Sequence, residues 1–407
     1  IAMGLALGLQ VPALAGTEAP AVQPSPAPAW DWCTWLKNKP GTLYKSSENP
    51  YLQEFQLEGR FQYQAAYLDG SDVDNDDFNE TYDEYRRVRL GVKAKFLQYF
   101  GAKFQVNLVD DARNANPSGD LDWGYADIDE AYLSFDIAKA FGAGPLDSLV
   151  ASYGRHKFVL SQEARTSSTK LLTIERSAIS NKVYDSARPT GLALDAAKDK
   201  WTFTGAVYSS TEDGVDNEEF NGWQDGVIYY AHAGYQVNDC LLLGADFVYN
   251  DADAVDEDSV LPYRWATSLN ADYNAGQWGI IGDLIFGDNG GSSMTSNSDR
   301  QDAFWGVVVT PYYWLIEDRL QLVGQYQYQG SDEDEGVRVN SRYGRADGIT
   351  NINSGRGDSH HSLYGGLNYY LCGHNAKIQA GIEYQTMDTP AGDFDTTTYL
   401  IAFRTFF

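Results

Sequence analysis

Residues 319–330 read RLQLVGQYQYQG. On an extended chain Leu320, Leu322, Tyr326 and Tyr328 fall on one face, and Gln321, Gln325, Gln327 and Gln329 fall on the other. Strict period-two alternation is the mark of a strand with one apolar and one polar side. A soluble sandwich shows the same alternation but buries an apolar face inside. Here the polar faces carry Gln, Asn, Arg and Lys strand after strand. Gln56, Glu58, Arg60 and Gln62, for example, oppose Phe55, Leu57, Phe61 and Tyr63. That arrangement suits a water-filled interior with the apolar side turned to lipid.

The connections point the same way. Very short ones (Val237 to Cys240, Ala275 to Gln277, Glu317 to Arg319) alternate with long acidic ones, the rhythm of a barrel with tight turns at one end and larger loops at the other. The expected fold is all-β: a transmembrane antiparallel barrel of about sixteen strands over residues 53–407, at roughly 22 residues per strand with its connection. An even number of strands places both termini on the periplasmic side. A barrel of that size is too wide for side chains to fill and leaves an aqueous channel. The last strand, 396–407, puts Tyr399, Ile401, Phe403, Thr405 and Phe407 on one face and Leu400, Ala402, Arg404 and Phe406 on the other. A terminal aromatic after alternating apolar residues resembles the signal read by the barrel-assembly machinery, so that machinery and outer-membrane lipid are expected partners.

Composition agrees with a β-rich membrane protein. Twenty-eight Tyr, 10 Trp and 18 Phe stand beside 39 Gly and only 3 Met, a bias toward strands. Mean hydropathy is −0.42, and no run of about 18 apolar residues exists to build a membrane-spanning helix. The net charge of −27 argues against a nucleic-acid partner. The acid clusters in runs at Asp72 to Asp77, Glu218 with Glu219, Asp256 to Asp258 and Asp332 to Glu335, which read as solvated loops. Asp72, Asp74 and Asp76 have the alternate spacing of a Ca²⁺ loop, yet the glycine and distal glutamate of an EF-hand are missing. No tightly bound cofactor is expected, and Ca²⁺ at these outer loops is the alternative to plain solvation.

Residues 1–15 are apolar and end Ala13-Leu14-Ala15 before Gly16, the small-residue pattern of a signal-peptidase site, and are expected to be the remnant of a signal peptide. Residues 16–52 hold a Pro/Ala-rich stretch and then Trp30, Trp32 and Trp35 around Cys33, expected to form a periplasmic arm whose aromatic segment packs under the barrel mouth or plugs it. Three cysteines are too few for a disulfide framework and match no zinc spacing. Cys240 and Cys372 both fall in expected short turns, so a bridge between them is one expectation and separate free thiols the other.

Two stretches resemble the phosphate-selective porin O and P family: Arg86-Arg87-Val88-Arg89-Leu90-Gly91-Val92, and Tyr153-Gly154-Arg155-His156-Lys157-Phe158 followed by Thr166-Ser167-Ser168 and Glu175-Arg176. The resemblance covers about residues 53–407 and implies a sixteen-stranded homotrimeric porin with a loop folded into the pore. Read from the residues alone, Val88, Leu90, Val92, Ala94 and Phe96 face lipid, which turns Arg87, Arg89, Lys93 and Lys95 toward the lumen. Lys103, Arg60, Arg155, Lys157 and Arg404 join them as expected pore-lining cations. The segment Ser161 to Arg188 lacks alternation and carries Arg165, Lys170, Arg176, Lys182 and Arg188; it is expected to be the constriction loop. Cations at a constriction lower the barrier to anions such as phosphate, whose oxygens match guanidinium donors.

The opposing expectation is that these cations pair with lumen acids such as Glu54, Glu58, Glu383 and Asp246 and set no selectivity. Acidic outer loops would also repel anions at low salt, within the roughly 8 Å that physiological screening leaves. A general or sugar-permeable porin is therefore the competing reading. No enzyme is expected: His156, His232, His360, His361 and His374 show no metal spacing, and no Gly-x-Ser-x-Gly occurs. An envelope anchor would need a plugged lumen or a peptidoglycan-binding element, and the arm is too short and featureless to favour it.

Overall fold

The computed structural model describes residues 31–109, 123–142, 144–184, 187–210, 222–223, 226–252, 259–292, 295–339, 343 and 351–407. The expected signal remnant, the Pro/Ala-rich stretch with Trp30, and the acidic runs at Glu218 and Asp256 lie outside the described residues.

Sixteen antiparallel strands close into a barrel. They are β1 (Leu52–Ser71), β2 (Asp77–Phe96), β3 (Phe100–Val109), β4 (Trp123–Asp136), β5 (Ser148–Arg155), β6 (Thr190–Lys198), β7 (Trp201–Ser209), β8 (Val227–Asn238), β9 (Leu241–Asn250), β10 (Trp265–Asn274), β11 (Trp278–Asp288), β12 (Ala303–Ile316), β13 (Leu320–Ser331), β14 (Ser359–Tyr370), β15 (Ala376–Asp388) and β16 (Phe394–Phe406). Each pairs with the next along the chain, and β16 returns to β1 with Asp395 opposite Ser71 and Phe406 opposite Arg60. Closure leaves no unpaired edge, the condition for a sheet to cross a bilayer. In β13 the alternation is literal: Leu322 and Tyr326 are 47% and 42% exposed on the outside, whereas Gln321 and Gln329 are 2% and 1% exposed within.

Among the register irregularities of the barrel, two β-bulges matter for the interior. Between Gln62 and Tyr63 the partner strand β2 carries one extra residue, Arg86. On one side of it Tyr82 and Glu84 are buried, and on the other Arg87 is, so the inward parity of β2 changes from even to odd. On β4 the extra residue is Asp129, between Ile128 and Glu130. A bulge lets two successive side chains share a face, and here Arg86 with Arg87, and Asp129 with Glu130, make up the pairs.

The short strand Thr42–Lys45 pairs with Glu54, Phe55 and Gln56 of β1, just past the point where β16 stops. Phe407 N donates to Gly59 O at 3.0 Å and Leu57 N donates to Gly41 O at 2.7 Å, so the ladder passes from the C-terminus to this strand. Ahead of it lies a helix, Trp32–Lys37, whose N-cap Asp31 accepts from Cys33 N and Thr34 N at 3.1 Å each. Leu36 is buried with Cys372 and Ala376, while Trp32 and Trp35 remain largely exposed. The cysteine expectation is corrected here: Cys372 is bonded to Cys33 across 339 residues, and Cys240 is free and exposed. Register brings the turn after β14 over the helix, a neighbour that sequence spacing gives no means of seeing.

Turns 97–99, 199–200, 239–240, 275–277 and 317–319 share one end of the barrel with Leu52 and Phe406, where the barrel strands begin and end. Residues 156–184 and 187–189, between β5 and β6, fold inside. Phe158, Leu160, Ile179 and Val183 pack on Tyr208, Ile228 and Phe304 of the barrel and on Tyr263 in the connection ahead of β10. The opposite wall grips the segment through its backbone: Arg404 donates to Ser168 O at 2.9 Å and to Ile174 O, Lys377 to Leu171 O, and Asn368 and Gln379 to Leu172 O at 2.9 and 3.0 Å. Asp283 on β11 accepts from Gln162 N and Glu163 N at 2.8 and 3.3 Å. The inward segment is therefore held from several sides.

Candidate functional site

The inward segment leaves a cavity on each of two sides. The first, of about 210 Å³, lies against β1–β4 and is lined by Arg60, Arg87, Arg89, Lys103, Lys157, Arg165 and Arg176, with Asp129, Glu130 and Tyr184. Seven cations and two carboxylates thus meet in a chain of net charge −27. Half of the fourteen cations expected from sequence converge here.

Hydrogen bonds fix their directions. Arg60 NH1 donates to Ser168 Oγ at 2.9 Å, and Arg87 NH1 donates to Gln62 Oε1 at 3.0 Å. Arg89 reaches Asn107 Oδ1 and Asp129 Oδ2, each at 2.6 Å. Arg188, at the end of the inward segment, takes the other Asp129 oxygen at 2.6 and 2.9 Å, so one buried carboxylate holds two guanidiniums. Lys103 pairs with Glu130. Arg176 donates to Glu163 O at 3.0 Å and Thr166 O at 2.8 Å, and Lys157 to Ala164 O at 2.5 Å. Bonds to carbonyls orient these cations without cancelling their charge, so the cavity keeps a positive excess.

Tyr184 lies at the centre. Lys157 and Arg176 sit 5.1 Å from its ring centroid and Arg188 at 5.7 Å, and the Arg188 guanidinium donates to its hydroxyl at 3.0 Å. Burial would raise the phenol, but Arg188, Lys157, Arg176 and Arg89 outweigh it and bring it down to about 6. Burial, then Arg176 and Arg188 against the opposing pull of Tyr184, brings the Lys157 ammonium down to about 7.

The remaining expected residues sit elsewhere. Lys93 and Lys95 face Glu58 and Glu54 at 2.5 and 3.1 Å and are well exposed. Arg165 also reaches Asp246, Tyr230 and His232 on β8 and β9. Lys182 donates to Asn289 Oδ1 at 2.6 Å over the Phe304 ring. Arg155 shares the strand parity of the outward Tyr153 and donates to Ile128 O at 2.8 Å. Arg404 is fully buried as a clamp on the inward segment. Lys170 is exposed and lines the second cavity. The opposing expectation, pairing with acids, describes Arg89, Lys93, Lys95, Lys103, Arg165 and Arg188, whereas Glu383 accepts from Ser362 Oγ at 2.7 Å and Gln327 at 3.3 Å.

Sequence reasoning assigned no role to Arg86, which makes a two-pronged pair with Glu175 at 2.8 and 3.3 Å, nor to Asp129 and Tyr184. A signal for the first and second of these positions existed. Adjacent charges such as Arg86-Arg87 or Asp129-Glu130 inside a strand would drive one of them into lipid unless the strand bulges.

The second cavity, of about 320 Å³, lies against β10–β13, and its lining includes Glu163, Asp272, Asp283, Tyr312, Trp314 and Gln321. Among the described residues, no group of three or more His, Cys, Asp or Glu side chains is placed to hold a metal ion. The carboxylate of Asp72 accepts from Asp74 N and Asp76 N at 2.9 and 3.0 Å and so shapes its own loop.

Residues 55–279 match the family model described as phosphate-selective porin O and P. The sequence matches no curated protein. Among solved structures, the chain is similar to the outer membrane channel DcaP of Acinetobacter baumannii, at 14% identity with a TM-score of 0.59 over 89% of this chain and 99% of that one. It is also similar to an anion-selective porin from Comamonas acidovorans, at 12% identity with a TM-score of 0.55 over 87% and 99%. OprB of Pseudomonas putida gives 10% identity and a TM-score of 0.55 over 87% and 94%. At these identities the likeness concerns the fold.

Proposed function

Because the chain belongs to the phosphate-selective porin O and P family, an outer-membrane porin family, we propose that its passive pore admits small hydrophilic solutes with anions ahead of cations. The observation that carries this reading is the cavity beside β1–β4, where seven cations face two carboxylates. An anion crossing a low-dielectric wall there meets fixed positive charge and guanidinium donors at the narrowing, and a cation meets the same charge as a barrier. Phosphate suits these donors through its paired oxygens. The protein from Comamonas acidovorans of similar fold is described as anion-selective. We further place both termini in the periplasm, since strand ends and short turns share one end, and assign the assembly as a homotrimer, as the family resemblance implies. Nothing in this arrangement calls for a catalytic role.

Planar-bilayer recording with reversal potentials in a KCl gradient tests the reading. The expected result is a reversal potential of the sign set by chloride, together with block of chloride current by millimolar phosphate that Arg60→Gln with Arg87→Gln relieves. Absence of conductance would overturn the pore, and a reversal potential set by potassium would overturn the anion preference.

A further inference from the structure

The cavity beside β10–β13 differs in chemistry from the basic one. Tyr312 and Trp314 occupy alternate positions of β12 and both turn inward, so two aromatic rings project from one strand into one space. Asp272 of β10 faces the same space, half-buried, with Gln162 Nε2 at 3.5 Å from Oδ2. Asn274 and Thr173 add an amide and a hydroxyl. The other two carboxylates there are already occupied: Glu163 accepts from Ser177 N and Oγ and from Gln325, while Asp283 holds the backbone of Gln162 and Glu163. Asp272 is thus the carboxylate best placed to receive a donor from a solute. His374 Nδ1, also on this lining, is buried with no partner among the described residues.

From these groups we infer a binding subsite for a neutral polyol of monosaccharide size, with Tyr312 and Trp314 as its platform and Asp272 as its principal acceptor. The carboxylates disfavour anions, and Lys170 on the same lining disfavours a compact cation. A pyranose presents C–H groups on one face, suited to an aromatic ring, and hydroxyls around its edge that donate and accept. The volume, about 320 Å³, lies at the small end of what ligand pockets occupy. The inference rests on the conducting pore but not on its anion preference. The subsite would slow a sugar in transit and thereby raise its share of the flux when it is dilute.

The test is a titration of glucose against chloride current through the full-length protein in planar bilayers, with sucrose of matched viscosity as the reference. The expected result is a saturating fall in current with glucose in the millimolar range. Asp272→Asn and Tyr312→Leu should each raise the half-saturating concentration about tenfold, the effect of losing one hydrogen bond to a charged group or one ring contact. Retained heat-modifiable migration on gels confirms that each variant is folded. A fall in current that only follows viscosity, or one that saturates identically in both variants, overturns the subsite. Reversal potentials from the same traces report the anion preference separately, so the two readings fail independently.

Discussion

The two cavities that flank the inward segment are built by opposite means. The one beside β10–β13 comes from regular strands: Asp272, Asp283, Thr310 and Tyr312 face inward because alternation puts them there. The one beside β1–β4 depends on irregularity. Arg86 and Asp129 are the extra residues of two bulges, and each lets neighbouring charges turn the same way. Charge density in a barrel lumen is limited by the two-residue period, since every other side chain is lost to lipid. Bulges reset that period locally: the one at Arg86 leaves Arg87 and Arg89 facing inward, and the one at Asp129 places the buried counter-ion of Arg89 beside Glu130.

The sharpest way to break this contrast is at Asp129. Removing its carboxylate as Asp129→Ala leaves Arg89 and Arg188 without their shared counter-ion in a buried site, at a cost of about 3–5 kcal/mol. The same truncation at the half-buried Asp272 should cost less than about 1 kcal/mol. Unfolding of detergent-solubilised protein, followed by loss of heat-modifiable migration, measures both, and equal losses would erase the distinction between the two walls.

A smaller effect separates the cavities by pH. Lys157, brought down to about 7, loses its proton as pH rises through neutrality, and Tyr184, brought down to about 6, gains negative charge over the same interval. Both changes subtract positive charge from the basic cavity. Anion preference should therefore fall between pH 5 and pH 8, and Tyr184→Phe should flatten the dependence. Reversal potentials at the two pH values, in wild type and variant, measure it; preference that rises with pH would contradict the assignment.

The smallest effect belongs to Lys93 and Lys95. Their pairs with Glu58 and Glu54 are solvated, with lysine side chains 44% and 70% exposed. Lys93→Ala with Lys95→Ala should alter stability by less than about 1 kcal/mol and leave reversal potentials within error. A large shift would extend the selective region to the short-turn end.

These contrasts mark what the sequence could disclose. Strand number, closure and facing were legible because alternation with a buried polar side is a repeated local signal, as at Gln321 to Gln329. Half of the expected cations meet in one cavity: parity directs Arg60, Arg87, Arg89 and Lys103, and the inward segment carries Lys157, Arg165 and Arg176. Arg404 was directed correctly to the interior, but its task is to hold Ser168 and Ile174, and nothing in its own strand could reveal a partner more than two hundred residues away. Arg155 illustrates the opposite limit: charge suggested a lumen position, while pairing in register with Ala131 gives it outward parity. The role of Tyr184 was invisible for a different reason, since an aromatic residue in a loop has no characteristic spacing. Likewise, the partner of Cys372 depended on which turn lies over the N-terminal helix.

That bond between Cys33 and Cys372 closes a covalent ring around nearly the whole strand sequence. The helix ahead of β1 and the turn between β14 and β15 lie side by side where β16 meets β1, so the two thiols are brought together by completion of the wall. The disulfide therefore serves as a latch set by closure: it ties the helix ahead of β1 to the turn between β14 and β15 and distinguishes a finished barrel from an open sheet.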